Sequence, residues 1–158
     1  MNSNDSLMAY VLRLADNALI LGQRMVELVA AYPELEEELA NANFALDYLG
    51  QARMYYSYAG DLEGMGRSED DFAFLRDENE YRNLLLIEQP NGHFGDSIAR
   101  LVLFDAFYLL QLEALVHCLT AGGAPAVVRD RINAAAITVT GNVSAPCLCC
   151  WRARATAT

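Results

Sequence analysis

The sequence predicts an all-α protein that folds as an antiparallel helical bundle. Apolar residues recur every three or four positions along several long stretches, which is the spacing of one face of an α-helix. No convincing β-strand appears before residue 135, and turns containing glycine or proline separate the helical stretches. With 158 residues, the chain is long enough to bury a hydrophobic core as one domain. Helices with one apolar face bury it by packing against one another, so a bundle is the expected architecture.

Two long helices are predicted in the first part of the chain. The first covers about 6–30, and its apolar face is formed by Leu7, Val11, Leu14, Ala18, Met25 and Val29. Its polar side is formed by Arg13, Asn17, Arg24 and Glu27. The second helix is predicted over 33–58, because Pro33 suits a first helical turn and the acids that follow it suit the positive end of the helix dipole. Gly60 is expected to end it.

Three further helices are predicted downstream. A third, over 68–88, begins at Ser68, which suits a helix N-cap because acids follow it. The turn sequence QPNG ends it, and a fourth helix runs from Phe94 to about Leu119. Apolar residues surround this fourth helix almost completely, which is typical of the central helix of a bundle. A fifth helix is expected to begin after Pro125.

The charge of the chain excludes two classes of partner. Its formal net charge is −10, whereas nucleic acids and anionic membranes are bound by basic surfaces. The N-terminal sequence MNSNDSLMAY lacks the basic start and apolar run of a secretory signal, so a reduced, cytoplasmic protein is expected. The apolar run LVLFDAFYLL contains Asp105 and is too short to span a bilayer.

Asp47 and Gln51 are the first candidates for a metal or polar site. They lie with Glu36 and Asn43 in a narrow polar stripe on the second helix, between wide apolar faces. Such a stripe faces either solvent or the polar interior of a bundle. The sequence alone leaves both interpretations open.

Asp105, Glu113 and His117 are the other candidates, and all three lie on the fourth helix. Asp105 stands among apolar residues, so it needs a hydrogen bond, a cation or a proton. It either pairs with an arginine, such as Arg53 or Arg13, or binds a metal. Glu113 and His117 are four residues apart and form either an ordinary intrahelical pair or part of a ligand set.

The supply of metal ligands argues against a metal site in this chain. A carboxylate-bridged di-iron bundle uses Glu-x-x-His on each of two helices, and Glu113-x-x-x-His117 is one residue too long. Only two histidines are present, and the second, His93, is expected in an exposed turn. The terminal CLCC matches no zinc-site spacing. The sequence therefore predicts no catalytic, cofactor-binding or metal-binding residue, with a small carboxylate-rich di-metal protein as the alternative.

Two phrases of the sequence, LDYLGQAR and LLLIEQPNGHF, resemble the PaaC-type subunit of bacterial phenylacetyl-CoA epoxidase, over roughly residues 6–120. The resemblance implies a ferritin-like fold and a cytoplasmic, multicomponent monooxygenase of phenylacetate catabolism. It also implies a di-iron cofactor held by a sister PaaA-type catalytic subunit, the partner of this chain in a hetero-oligomer with other epoxidase subunits. The chain itself would be a structural subunit that has lost iron ligation. Asp47-x-x-Gly50 then stands where a metal-binding subunit has Glu-x-x-His, and the five candidates Asp47, Gln51, Asp105, Glu113 and His117 mark a vestigial site.

The C-terminal part departs from that family. PaaC-type chains continue with further helices, whereas the sequence from 137 to 158 is rich in threonine and cysteine and loses helical periodicity. We therefore expect a partial ferritin-like helical domain over 1–136 and an irregular tail over 137–158. The abrupt change indicates a truncated or frame-shifted reading of a longer gene, which leaves a non-functional fragment as a further alternative. A natural divergent tail is the other interpretation.

Overall fold

The computed structural model describes residues 3–30 and 34–121, with side chains over 5–30 and 34–118. Its elements are α1 (Ser3–Val26), α2 (Leu35–Glu63), α3 (Glu69–Phe74), a short 3-10 helix (Glu78–Glu80), α4 (Leu85–Glu88) and α5 (Phe94–Ala121). The described residues contain no β-strand, which confirms the predicted all-α class. The predicted fifth helix and the tail over 137–158 lie outside the described residues.

The chain divides into two compact units, Met1–Gly92 and His93–Thr158. The boundary coincides with the end of the QPNG turn. The predicted division at residue 136 concerns a part of the chain outside the described residues and stays a prediction.

An antiparallel pair of helices, α1 and α2, forms the centre of the first unit. The Asn41 side-chain amide donates to the Met25 carbonyl at 2.8 Å, and the Tyr56 hydroxyl donates to Asp16 at 2.6 Å. Residues later in α2 contact residues earlier in α1, so the two helices run in opposite directions. Gly22 lets them approach closely, because a Cβ there would lie 3.1 Å from the Leu49 side chain.

Helix α1 is the most enclosed element of this unit. Its buried apolar residues are Val11, Leu14, Ala15, Ala18, Leu19, Leu21 and Met25. Asp16 and Asn17 are also buried, at 0% and 2% exposure. The prediction that Asn17 lies on a polar outer side is therefore wrong, since chain segments cover α1 on more than one side. Val26 ends the helix, not Ala30, which has a positive φ of 70°.

Helix α2 extends further than predicted. Gly60 remains helical, and the helix ends at Glu63. Gly64 caps it, with a left-handed backbone (φ 68°) and an N–H that donates to the Gly60 carbonyl at 3.0 Å. Gly60 has another role: a Cβ on it would lie 2.7 Å from the Arg67 carbonyl oxygen. The absence of a side chain therefore allows the loop after α2 to fold back on the helix. The acids of its first turn, Glu36–Glu38, lie where the dipole favours them.

The predicted third helix is wrong beyond its first turns. Ser68 caps it as expected, in a capping box with Asp71, but α3 ends at Phe74. A 3-10 turn, an extended stretch and the short α4 follow. In the extended stretch, the backbone N–H groups of Arg82 and Leu84 donate to side chains of α1 instead of to helical carbonyls.

Helix α5 is the described element of the second unit, and it is buried along one face. That face is formed by Ser97, Arg100, Leu101, Phe104, Asp105, Tyr108 and Leu112. Leu103, Phe107 and Leu110 are more than half exposed, so among the described residues α5 is not surrounded as the sequence pattern predicted. Over Phe94–Cys118 it is long and apolar enough to cross a membrane by length and composition alone, because the helix continues past Asp105. Core helices of soluble bundles meet the same criterion, and α5 buries both Arg100 and Asp105.

We predict opposite effects for two glycine-to-alanine changes in α2. Gly60→Ala should lower the free energy of unfolding, because its methyl group meets the Arg67 backbone. Gly50→Ala should raise that free energy by about 0.5–1 kcal/mol, because Gly50 is exposed with nothing within 4 Å of its Cβ position and alanine favours the helix. Urea unfolding followed by circular dichroism measures both. Equal effects of the two changes would contradict the close approach at Gly60.

Candidate functional site

A buried carboxylate, Asp16, is the centre of the polar cluster in the first unit. It accepts hydrogen bonds from the Tyr56 hydroxyl at 2.6 Å and from the Arg82 backbone N–H at 2.8 Å. The guanidinium of Arg76 forms an ion pair with it, and the side chains of Asp16 and Arg76 are 0% and 6% exposed. Three separate chain segments therefore converge on one carboxylate.

Arg76 is held on several sides. Its Nε donates to the Phe72 carbonyl at 2.6 Å, and its terminal nitrogen donates to the Tyr56 hydroxyl at 3.1 Å. Its guanidinium lies 4.3 Å from the centre of the Tyr81 ring, a cation–π contact. Tyr81 in turn donates its hydroxyl to the Ala73 carbonyl at 2.7 Å. Arginine suits this position because its planar fork offers five donors.

The electrostatics of the cluster favour charged arginine and neutral tyrosine. Burial, and then the negative charge of Asp16, raise the pKa of Tyr56 well above its ordinary value. Burial by itself lowers the pKa of Arg76, but the hydrogen bond and charge of Asp16 outweigh it, so the pKa of Arg76 is raised. At neutral pH, Tyr56 is therefore a hydrogen-bond donor and not a base.

Asn17 extends the cluster along α1. Its side-chain oxygen accepts the Leu84 backbone N–H at 2.8 Å. Together, Asp16 and Asn17 hold two backbone positions of the extended stretch between the 3-10 helix and α4. Further along α1, the Arg24 guanidinium donates to the Glu88 carbonyl at 2.9 Å, and the Asn91 amide donates to the Arg24 carbonyl at 2.8 Å. The segment 82–91 is thus bound to α1 along its length.

An open cleft of about 890 Å³ lies beside this cluster within the first unit. Its apolar lining is formed by Met8, Ala9, Leu12, Leu62 and Phe72. Its charged and polar lining is formed by Asp5, Glu63, Arg67, Arg76, Asn79, Glu80 and Arg82. The lining contains three acids and three arginines, so its formal charges sum to zero. The lining therefore gives no strong preference for ligands of either charge.

Arg67 and Glu63 form an ion pair at the cleft and hold each other in place. The Arg67 Nε lies 2.6 Å from a Glu63 oxygen, and the guanidinium lies 4.2 Å from the Phe72 ring centre. The hydrogen bond from Arg67 lowers the pKa of Glu63, so neither side chain is poised for proton transfer at neutral pH. The arrangement can bind and position chain segments, but it offers no activated nucleophile or base.

The predicted candidates Asp47 and Gln51 lie on α2 in different environments. Asp47, Asn43 and Glu36 are exposed, whereas Gln51 is 2% exposed. The polar stripe is therefore largely a solvated face, and Gln51 lies at its inner edge. Gly50, three residues after Asp47, is exposed as well.

The three candidates on α5 do not share one environment either. Asp105 is buried at 2% exposure, as its position among apolar residues predicted, whereas Glu113 and His117 are exposed. The pairing of Asp105 with Arg13 or Arg53 stays a prediction; Arg53 contacts Glu69, with its Nε 2.6 Å from a carboxylate oxygen.

The resemblance assigns the di-iron cofactor to the sister catalytic subunit, and the described side chains of this chain do not fit such a group. Over 3–30 and 34–121, no three histidine, cysteine, aspartate or glutamate side chains come together in a way that could hold a metal ion. The absence of a metal site from the chain as a whole stays a prediction.

Sequence reasoning missed Asp16, Tyr56 and Arg76, although one signal was present. Asp16 has the apolar neighbours Leu14, Ala15 and Ala18, so it lies on an apolar part of α1. Asp105 has a comparable position on α5. A carboxylate in that position requires a buried donor. The identity of the donor could not be found, because Arg76 is 60 residues away in the chain.

We predict that Arg76→Leu lowers the free energy of unfolding by about 3–5 kcal/mol, because it leaves Asp16 buried without its counter-charge. Arg53→Leu is the matched control. Its side chain is 75% exposed, and loss of its pair with Glu69 should cost less than about 1 kcal/mol. Urea unfolding measures both, and equal losses would show that the buried pair has no special role.

We predict that Tyr56 makes the stability of the chain sensitive to alkaline pH. Its pKa is raised in the folded state, so its contribution is complete below its unfolded pKa of about 10 and is lost as the pH rises above that value. Between pH 9 and 11, the wild-type chain should lose about 1.4 kcal/mol more unfolding free energy than Tyr56→Phe. Parallel pH profiles for the two proteins would contradict the raised pKa.

Comparison with known proteins identifies the family of this helical chain. The sequence pattern of the phenylacetic acid catabolic protein family matches residues 1–131. The chain is 54% identical over 113 residues to the C subunit of 1,2-phenylacetyl-CoA epoxidase from Escherichia coli (strain K12). That alignment covers 72% of this chain and 45% of the relative, so the chain spans less than half the length of that protein. The predicted ferritin-like helical fold is confirmed, and the chain belongs to the phenylacetic acid catabolic protein family.

Proposed function

We propose that the chain is a non-catalytic structural subunit of a multicomponent phenylacetyl-CoA epoxidase. Its partner is a PaaA-type subunit that holds the di-iron centre, and the assembly works in the cytoplasm in aerobic phenylacetate catabolism. The observation that carries the proposal is the 54% identity to one subunit of such an epoxidase. The role of scaffold, as distinct from catalyst, is our own inference from the side chains.

Three features of the first unit support the scaffold role. The buried charged groups, Asp16 and Arg76, bind each other and the neighbouring backbone, so they hold the fold together. The Tyr56 hydroxyl is kept neutral and donates to Asp16. The carboxylate candidate of α2, Asp47, is exposed and belongs to no cluster of metal ligands among the described residues.

Co-expression with a PaaA-type catalytic subunit and the reductase tests the proposal. We expect phenylacetyl-CoA-dependent oxygen consumption to be higher with the chain than without it, since the scaffold supports the subunit that carries out the chemistry. Iron analysis should find iron in the catalytic subunit and far less than one atom per copy of the purified chain. An activity that is the same with and without the chain would refute the scaffold role.

A pair of substitutions separates the scaffold from a di-metal protein. Glu113→Gln and His117→Asn change exposed side chains of α5, so the scaffold hypothesis predicts that the oxygen consumption of the assembly is unchanged. A metalloprotein that used these ligands would lose iron and activity together. Iron bound stoichiometrically by the isolated chain, and lost in either variant, would support the di-metal alternative instead.

A further inference from the structure

Helix α2 carries a second apolar face that α1 does not cover. Leu35, Leu39 and Leu46 are 65%, 57% and 65% exposed, and the half-buried Ala42 lies between them. We call these four residues the α2 seam. Exposed leucines occur singly on most protein surfaces, but three along one helix form a continuous apolar strip.

The spacing of the seam is that of a helix-docking surface. Its residues are separated by four, three and four positions, which is the a/d repeat of a coiled coil. At 1.5 Å rise per residue, the seam is about 16 Å long, or three turns. An a/d repeat keeps its side chains on one line, so they interdigitate with the side chains of another helix lying alongside.

The seam lies on the side of α2 opposite its buried face. With 100° between successive residues, Tyr48, Tyr55 and Ala59 stand about 180–220° around the helix from Leu46. These three residues are buried, at 0%, 3% and 0% exposure. The seam therefore lies on the side of α2 that is turned away from these buried residues and is exposed among the described residues.

The charges beside the seam select the kind of neighbour. Glu36 and Glu38 flank its N-terminal end, and the exposed Asp47 follows Leu46. A docked helix therefore needs basic residues next to its own apolar strip. A second copy of this chain is a disfavoured occupant of the seam. Each copy carries a formal charge of −10, so pairing of two copies in either orientation would bring together molecules of like charge.

We propose that the α2 seam docks an amphipathic helix of the catalytic subunit, with an apolar strip opposite Leu35, Leu39 and Leu46 and basic residues opposite Glu36 and Glu38. This inference rests on the proposed function, and it names the surface through which the scaffold is attached. The apolar strip supplies the contact area, and the flanking acids determine the orientation of the docked helix.

Co-purification with a tagged catalytic subunit tests the seam. Leu39→Glu places a charge in the middle of the seam and Leu46→Glu places one at its C-terminal end, and each should reduce the retained chain by on the order of tenfold or more. Leu75→Glu is the matched control, because Leu75 is 77% exposed and lies outside α2, and it should be retained like the wild type. Glu36→Gln with Glu38→Gln should weaken the dependence of retention on salt concentration.

The outcomes separate the seam from the proposed function. If the wild-type chain is not retained, the proposed function and the seam both fail. If the wild type, Leu46→Glu and Leu75→Glu are retained equally, the seam alone is wrong. A thermal midpoint for isolated Leu46→Glu well below that of Leu75→Glu would show that the chain covers this face itself. A wild-type dimer dispersed by Leu46→Glu would assign the face to a second copy, and either result overturns the proposal.

Discussion

The conformation of the segment 76–84 depends on Asp16, which lies on α1 without access to water. Its carboxylate accepts from a tyrosine hydroxyl on α2, from the Arg76 guanidinium after α3 and from the Arg82 backbone N–H. An isolated carboxylate in that position would be costly to desolvate, so folding of the segment and burial of the charge require each other. This mutual requirement determines where the extended stretch lies on α1.

The same interactions use the hydrogen-bonding capacity of the described polar side chains around Asp16. Each strong donor and acceptor of the cluster is directed to another part of the fold: Arg76 to Asp16 and the Phe72 carbonyl, Tyr56 to Asp16, and Asn17 to the Leu84 N–H. The raised pKa of Tyr56 keeps its proton in place as a donor. The cluster therefore joins the hairpin of α1 and α2 to the chain segment that follows α3.

Helix α2 connects this cluster to the proposed assembly, because it has one buried and one exposed apolar face. One face packs on α1 through alanines and tyrosines, and small residues such as Ala45 and Ala52 allow close approach. The opposite face exposes leucines at coiled-coil spacing. Membership of the phenylacetic acid catabolic protein family gives this surface a context, since a relative is named as one subunit of an epoxidase.

The sequence by itself determined the all-α class, the long helices α1, α2 and α5, the Ser68 cap and the family. These features depend on local spacing, on capping chemistry and on short recognisable phrases, all of which are present within a few turns of chain. The scarcity of histidine predicts that this chain lacks a di-iron ligand set, which stays a prediction. The tertiary structure decided the rest: the break after Phe74, the burial of Asn17 and the partnership of Asp16 with Arg76. The Ser68 cap and the acids after it predict a helix over 68–88, but side chains on α1, more than 60 residues earlier, bind the backbone N–H groups of Arg82 and Leu84. Competition between a local helical hydrogen bond and a distant buried acceptor cannot be resolved from spacing, because its outcome depends on which groups the folded chain brings together.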